Sequence, residues 1–260
     1  MPLRFPSRPS LVAYLTCGDP DLATSRDIAL AAIDAGADVI ELGVPFSDPV
    51  ADGPVIQRAS ERALRCGTTL HRVLEVGKEI RQRSTAGLII FTYLNPVMRM
   101  GLMKFSAAAH DAGIDGALIT DLPVEESHDY LAEMQKKNLA TVFLAAPTST
   151  DERLKQIARA SSGFVYAVSR TGVTGARQQM PKDAPKLVRR LRRYTSLPVA
   201  VGFGISSSAQ FEAVGKFADA AVVGSAIVEI IERNPGKEAE SVAQFVRQLS
   251  AVSRQPSATR

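Results

Sequence analysis

Asp34-Ala-Gly-Ala-Asp38-Val-Ile-Glu41-Leu42 reads as the end of a helix, a glycine stop and a strand in immediate succession. Ile28 to Ala35 supplies good helix formers, Gly36 is placed to end them, and Asp38 to Leu42 carries a short apolar run of strand type. Thr24 and Asp27 have capping-box-like spacing at the start of that helix. The cadence returns at Asp111-Ala-Gly-Ile-Asp115 before Gly-Ala-Leu-Ile119, and in reduced form at Lys216-Phe-Ala-Asp219 before Ala-Ala-Val-Val223. The echo is too short to establish duplication, but it supports a repeated βα unit.

Working outward, further strands are expected at Leu11–Leu15, Leu88–Thr92, Ala117–Thr120, Thr141–Leu144, Phe164–Val168, Val199–Val201 and Ala221–Val223. Helical patterns over Leu70–Arg83, Lys104–Ala112, Glu125–Lys137, Asp151–Ala160 and Lys186–Tyr194 separate them. Short apolar strands alternating with amphipathic helices imply an α/β fold with a parallel sheet covered by helices, and eight units can close into a TIM (β/α)8 barrel. An open doubly wound sheet has much the same local pattern. The barrel is favoured by Glu41, Tyr93, Asp121, Arg170, Gly204 and Gly224, which fall at or just after strand C-termini, where a barrel gathers its catalytic loops.

The 260 residues, 45% of them apolar, suit one barrel domain over residues 1–260, with 1–9 as a Pro-rich lead and 251–260 as a flexible tail. Cys17 and Cys66 are far apart and lack metal-type spacing, which favours a reducing compartment over a disulfide scaffold. No signal pattern opens the chain, and no apolar run approaches the ~20 residues that cross a bilayer, so a cytoplasmic protein is expected without membrane attachment. The net charge of +4 is spread over helix-like segments, there is no Trp, and no aromatic-basic motif points to nucleic acid.

The strand at Glu41 runs into Leu-Gly-Val-Pro45-Phe-Ser-Asp48-Pro49-Val-Ala-Asp52-Gly-Pro54, where proline and glycine break regular structure. Glu41 is held at a strand end while Asp48 and Asp52 lie in a loop. A fixed carboxyl beside a movable one suits general acid and base work, because burial can raise one pKa while the other group stays ionised. Solvated turn acids are the plainer alternative for the loop. Near the other end, Gly202-Phe-Gly204-Ile-Ser206 and Gly224-Ser225 follow consecutive strands, and the second enters a short helix expected at Ala226–Glu232. Each motif alone is more often a plain turn, but the two together after paired strands favour phosphate binding by backbone amides. Tyr166 to Gly175 supplies hydroxyls and glycines beside a polar stretch, 175–185, that reads as a lid or as a capped connection. His71, His110 and His128 fall in helices without a metal partner, so no metal is assigned.

The motifs together resemble the tryptophan synthase alpha subunit family. The resemblance runs through most of the chain, in Leu15-Thr-Cys-Gly-Asp-Pro20, the stretch Glu41 to Pro54, Asp121-Leu-Pro-Val-Glu-Glu126, Ser169-Arg-Thr-Gly-Val-Thr-Gly175, Gly202 to Ser206 and Gly224-Ser-Ala-Ile-Val228. It implies a TIM barrel that cleaves indole-3-glycerol phosphate to indole and glyceraldehyde 3-phosphate, without metal or organic cofactor. It assigns Glu41 as the acid/base, Asp52 as the carboxylate at the indole nitrogen and Tyr166 as their support. Gly175, Gly204, Gly224 and Ser225 match phosphate positions, and Tyr14, Phe91, Leu118, Leu144 and Phe203 match the indole surroundings. It also implies a pyridoxal-phosphate-dependent beta subunit as partner in an alpha2beta2 assembly, with Pro45, Asp48 and Pro49 on the contact loop. Two departures stand out: Tyr14 and Phe91 occupy positions that vary within the family, and the segment before Leu11 lacks a full amphipathic helix to cover the barrel floor. A noncatalytic phosphosugar sensor and a different phosphate-binding lyase or isomerase are the competing readings.

Overall fold

The computed structural model describes residues 3–168, 183–202 and 204–253. Strands β1 (Ser10–Thr16), β2 (Val39–Gly43), β3 (Gly87–Thr92), β4 (Gly116–Ile119), β5 (Ala140–Ala145), β6 (Val165–Val168), β7 (Val199–Gly202) and β8 (Ala220–Val223) form a closed barrel in sequence order. All neighbours are parallel, and closure rests on β1 pairing with β8, Ser10 beside Ala220 through Ala13 beside Val223. This excludes the open sheet. Each expected strand lies within one residue of the observed one at either end.

The strands are apolar on both faces because both faces are buried. Val12, Val39, Ile89, Leu118, Val142 and Phe164 fill the barrel interior, while Leu11, Ile40, Leu42, Leu88 and Ile90 turn outward into the layer beneath the helices. The floor of the interior is closed by the N-terminal lead. Leu3 and Phe5 pack against the interior cluster, and Phe5 meets Phe164 edge to face at 5.6 Å. Two apolar side chains thus do the covering for which a helix had seemed necessary.

The helices are α1 (Leu22–Ala35), α2 (Pro54–Arg65), α3 (Leu70–Arg81), α4 (Leu94–Met100), α5 (Leu102–Asp111), α6 (His128–Lys136), α7 (Asp151–Ala160), α8 (Ala184–Leu191), α9 (Ser208–Gly215), α10 (Ser225–Arg233) and α11 (Glu238–Ser253). Gly36 ends α1 at φ 116°, a left-handed cap that glycine adopts freely. The start of α1 differs from expectation. Asp21 is the cap and accepts the Thr24 N–H at 2.8 Å, so Thr24 lies inside the helix rather than at its boundary. Helix α2 was hidden because Gly53-Pro54 reads as loop, yet proline is at home in a first turn, where its missing N–H has no partner to lose. The expected helix from Glu125 divides into a short 3-10 turn, Val124–Glu126, and α6. Helix α11 runs through Ser253, three residues into the expected tail, while 254–260 lie outside the described residues. Among the described residues no helix is long and apolar enough to cross a membrane.

Candidate active site

Glu41 lies in β2, in register with Tyr14 of β1 and Ile89 of β3. The two-residue period places it on the same inward face as Val39. It is 1% exposed, and neither carboxylate oxygen has a hydrogen-bond partner among the described residues. A charge there has neither water nor a donor to stabilise it, and burial pushes the carboxyl up to about 8. Such a group holds its proton at neutral pH.

Asp52 reaches the mouth of the barrel from the loop after β2 and is 4% exposed. It is not a solvated turn acid. The Tyr93 hydroxyl donates to Asp52 Oδ2 at 3.2 Å and accepts the Ala51 N–H at 3.0 Å, while the Tyr93 ring stacks on Phe46 at 5.0 Å. The Asp52 carbonyl accepts from Gln57 Nε2 at 2.9 Å, in the first turn of α2. Burial raises Asp52 to about 6, against the Tyr93 hydrogen bond, which favours the ionised form. The two carboxyls therefore differ in protonation near neutrality. Tyr93 and Gln57 were missed as loop partners, and the available signal was the position of Tyr93 directly after β3.

Tyr14 and Phe91 meet edge to face at 5.1 Å, and Phe91 joins Leu118, Leu144 and Tyr166 in or against the interior cluster. Two glycines make room for the phenols: a Cβ at Gly43 would stand 2.4 Å from the Tyr14 hydroxyl oxygen, and one at Gly202 the same distance from that of Tyr166. Burial drives both phenols well above their usual range, and the charges of Asp52 and Glu41 add to it. Tyr14 and Tyr166 are thus neutral hydroxyls close enough to feel the acid pair.

Gly204 and Gly224 follow β7 and β8, and Gly224 caps α10 with Ser225 as its first, buried residue. Gly204 has φ 82° and needs glycine. Gly224 does not need it for that reason, since its φ is −116°; a Cβ there would rest against the Tyr14 ring at 3.4 Å, an ordinary contact, so only a larger side chain would crowd the turn. Gly175, Phe203 and the part of the expected lid at 175–182 lie outside the described residues.

In the contact loop, Asp48 is exposed and Pro49 partly so, but Pro45 is buried within the chain and offers no surface. Val50, not singled out before, is 79% exposed. The three histidines are all exposed, Cys17 is buried, Cys66 is exposed, and both thiols are free. Among the described residues no cluster of His, Cys, Asp or Glu is arranged to hold a metal.

The sequence model of one family, described as Tryptophan synthase alpha chain, matches residues 2–257. This chain belongs to that family. A tryptophan synthase alpha chain of Solibacter usitatus is 52% identical over 253 residues, covering 97% of this chain and 93% of the relative. One from Burkholderia pseudomallei (strain 668) is 47% identical, covering 94% and 91%. Among solved structures, Mycobacterium tuberculosis tryptophan synthase superposes with a TM-score of 0.89 at 38% identity, covering 96% of this chain and 94% of that one. A tryptophan synthase complex from Pyrococcus furiosus gives 0.88 at 40% identity, covering 94% and 99%. The family places the chain in tryptophan biosynthesis and implies a beta-subunit partner.

Proposed function

We propose that Glu41 and Asp52 divide the proton transfers of a retro-aldol cleavage. The chain is a carbon-carbon lyase that converts indole-3-glycerol phosphate to indole and glyceraldehyde 3-phosphate. The aromatic ring must first be made an electron acceptor. Protonated Glu41 delivers its proton to indole C3, and the ring becomes an indolenine with positive charge on nitrogen. Ionised Asp52 sits opposite that charge and accepts a hydrogen bond from the ring N–H, which keeps its proton and is present in the indole released. The glycerol hydroxyl next to the breaking bond gives its proton to the Glu41 carboxylate left by the first step, the bonding pair passes to the ring, and the aldehyde leaves.

The observation that carries this reading is the partnerless, fully buried carboxyl of Glu41, held near pKa 8 at the end of the barrel that also presents Asp52. A sensor that only bound a phosphosugar would have no use for so unfavourable a group. Tyr166 orients the pair, Tyr14, Phe91, Leu118, Leu144 and Phe203 surround the indole, and Gly175, Gly204, Gly224 and Ser225 hold the phosphate through amides and a hydroxyl at a helix N-terminus. The chain works as one cytoplasmic domain with no cofactor of its own. The beta partner, in an alpha2beta2 assembly, contributes pyridoxal phosphate and meets the loop through Asp48 and Pro49, ordering Asp52.

The test is the pH profile of kcat/KM for indole release, with and without the beta subunit. Glu41 must carry a proton and Asp52 must not, so activity is expected to rise through about pH 6 and fall through about pH 8. A folded chain that binds the substrate and releases no indole under either condition overturns the assignment.

A further inference from the structure

Helix α2 begins two residues after Asp52 and carries both an apolar and a charged anchor. On its apolar side Ile56 and Ala59 pack with Tyr14 of β1 and Val228 of α10. On its charged side Arg62 places two donors on Asp19, Nε to Oδ1 at 2.7 Å and Nη2 to Oδ2 at 2.8 Å, and a third on Glu232, Nη1 to Oε1 at 2.7 Å. Arg58, one turn earlier, forks the same Glu232 at 2.8 and 2.7 Å. Asp19 lies in the loop after β1 and is 2% exposed; Glu232 lies in the last turn of α10. One guanidinium thus ties α2 to the β1 loop and to the helix whose N-terminus faces the phosphate position.

We infer that Arg62 is a positioning residue for Asp52, acting through α2. The inference rests on the role proposed above for Asp52. The bonds are continuous: the Asp52 carbonyl is held by Gln57 in the first turn of α2, and α2 is held by Arg62 to Asp19 and Glu232. The loop before α2 bears an exposed Val50 and is fastened on one side by Tyr93, at Ala51 and Asp52, so the helix is the second support from which Asp52 is presented. An exposed ion pair would add little. A bidentate fork onto a buried carboxylate fixes direction as well as charge, and lysine cannot span Asp19 and Glu232 in the same way. A misplacement of about 1 Å at a catalytic group suffices to cost up to roughly a hundredfold in rate.

The experiment uses the full chain with its beta partner. Asp19→Asn combined with Arg62→Met removes both charges, leaving no unpaired charge in the buried position. With indole-3-glycerol phosphate, kcat is expected to fall roughly 10- to 100-fold while KM stays within about twofold, because Arg58 still holds Glu232 and with it α10. Arg62→Lys is expected to fall between this variant and wild type. Unchanged kcat in the folded double variant, or a rise in KM alone, overturns the inference; a lowered melting temperature with kcat retained assigns Arg62 to stability only, which also overturns it. Should the double variant not fold, Arg62→Lys and Glu232→Gln decide, and wild-type kcat in both is the overturning result. Asp52→Asn run in parallel separates the two claims. If it keeps full activity, the reading of Asp52 fails; if it is inactive while the Arg62 variants turn over normally, only the positioning role fails.

Discussion

The two ends of the barrel are built from the same strands and obey opposite rules. At the floor, Val12, Val39, Ile89, Val142 and Phe164 pack with Leu3 and Phe5, and among the described residues no buried side-chain polar atom there lacks a partner. At the mouth, two residues further along β2 from Val39, the buried carboxyl of Glu41 has no hydrogen-bond partner among the described residues, and Asp52 is buried on a loop pinned by Tyr93. Burial of apolar surface stabilises the first region by about 25 cal/mol per Å². In the second, burial destabilises the charged form and so sets the chemistry. The floor holds the mouth in shape, and the mouth uses that rigidity to keep a proton where water would remove it.

Glu41→Gln should break the comparison most severely, since it keeps the size of the side chain and removes the proton. Loss of kcat on the order of 10³-fold is expected, within the range of acid-base contributions, with the fold retained. Stability should move the other way. The folded carboxyl titrates at about 8 against 4.5 when exposed, so the native state binds the extra proton between those values and wild-type stability falls as pH rises through that window. Melting curves across pH should show a flatter slope in the Gln variant; an unchanged slope would mean Glu41 is not the group responsible.

At the floor the effect should appear in stability rather than rate. Phe164→Ala removes a fully buried ring that meets Phe5, and a loss of about 3–5 kcal/mol is expected in denaturant titrations. Turnover at a temperature where the variant remains folded should stay near wild type. A large drop in kcat there would show that floor and mouth are not separable.

Asp52→Asn keeps an oxygen to accept the Tyr93 hydroxyl, so the loop should hold while the charge proposed to face the ring nitrogen is lost. A fall in kcat on the order of 10²-fold is expected, with phosphate affinity spared. Weakened phosphate binding at normal turnover would put Asp52 in the wrong subsite. The smallest effect is expected at Gly224→Val, about tenfold in binding of indole-3-glycerol phosphate, on the order of 1.4 kcal/mol. Its side chain fills the space between the Tyr14 ring and the amides of α10. Calorimetry with free indole as the second ligand sharpens the point, because equal losses for both would place Gly224 at the indole wall and not at the phosphate.

The sequence by itself determined the eight strands, since a strand buried on both faces must be apolar throughout, and runs such as Val39-Ile40 and Val199-Ala200-Val201 admit little else. It also determined that Glu41 is held in a strand close to its exit, although the strand runs two residues further, to Gly43, before Pro45 forbids its extension. Helix α2 escaped notice because Gly53-Pro54 carries the same local signal whether a loop continues or a helix begins. Closure was decided only by the β1–β8 pairing, between residues some two hundred positions apart, which no local pattern encodes. The same holds for Tyr93 on Asp52 and Arg62 on Asp19: each is an ordinary polar residue in its own segment and gains its meaning from a partner brought near by the closed barrel. Side-chain chemistry and period are local properties, whereas burial, and with it the proton on Glu41, is a property of everything packed around it.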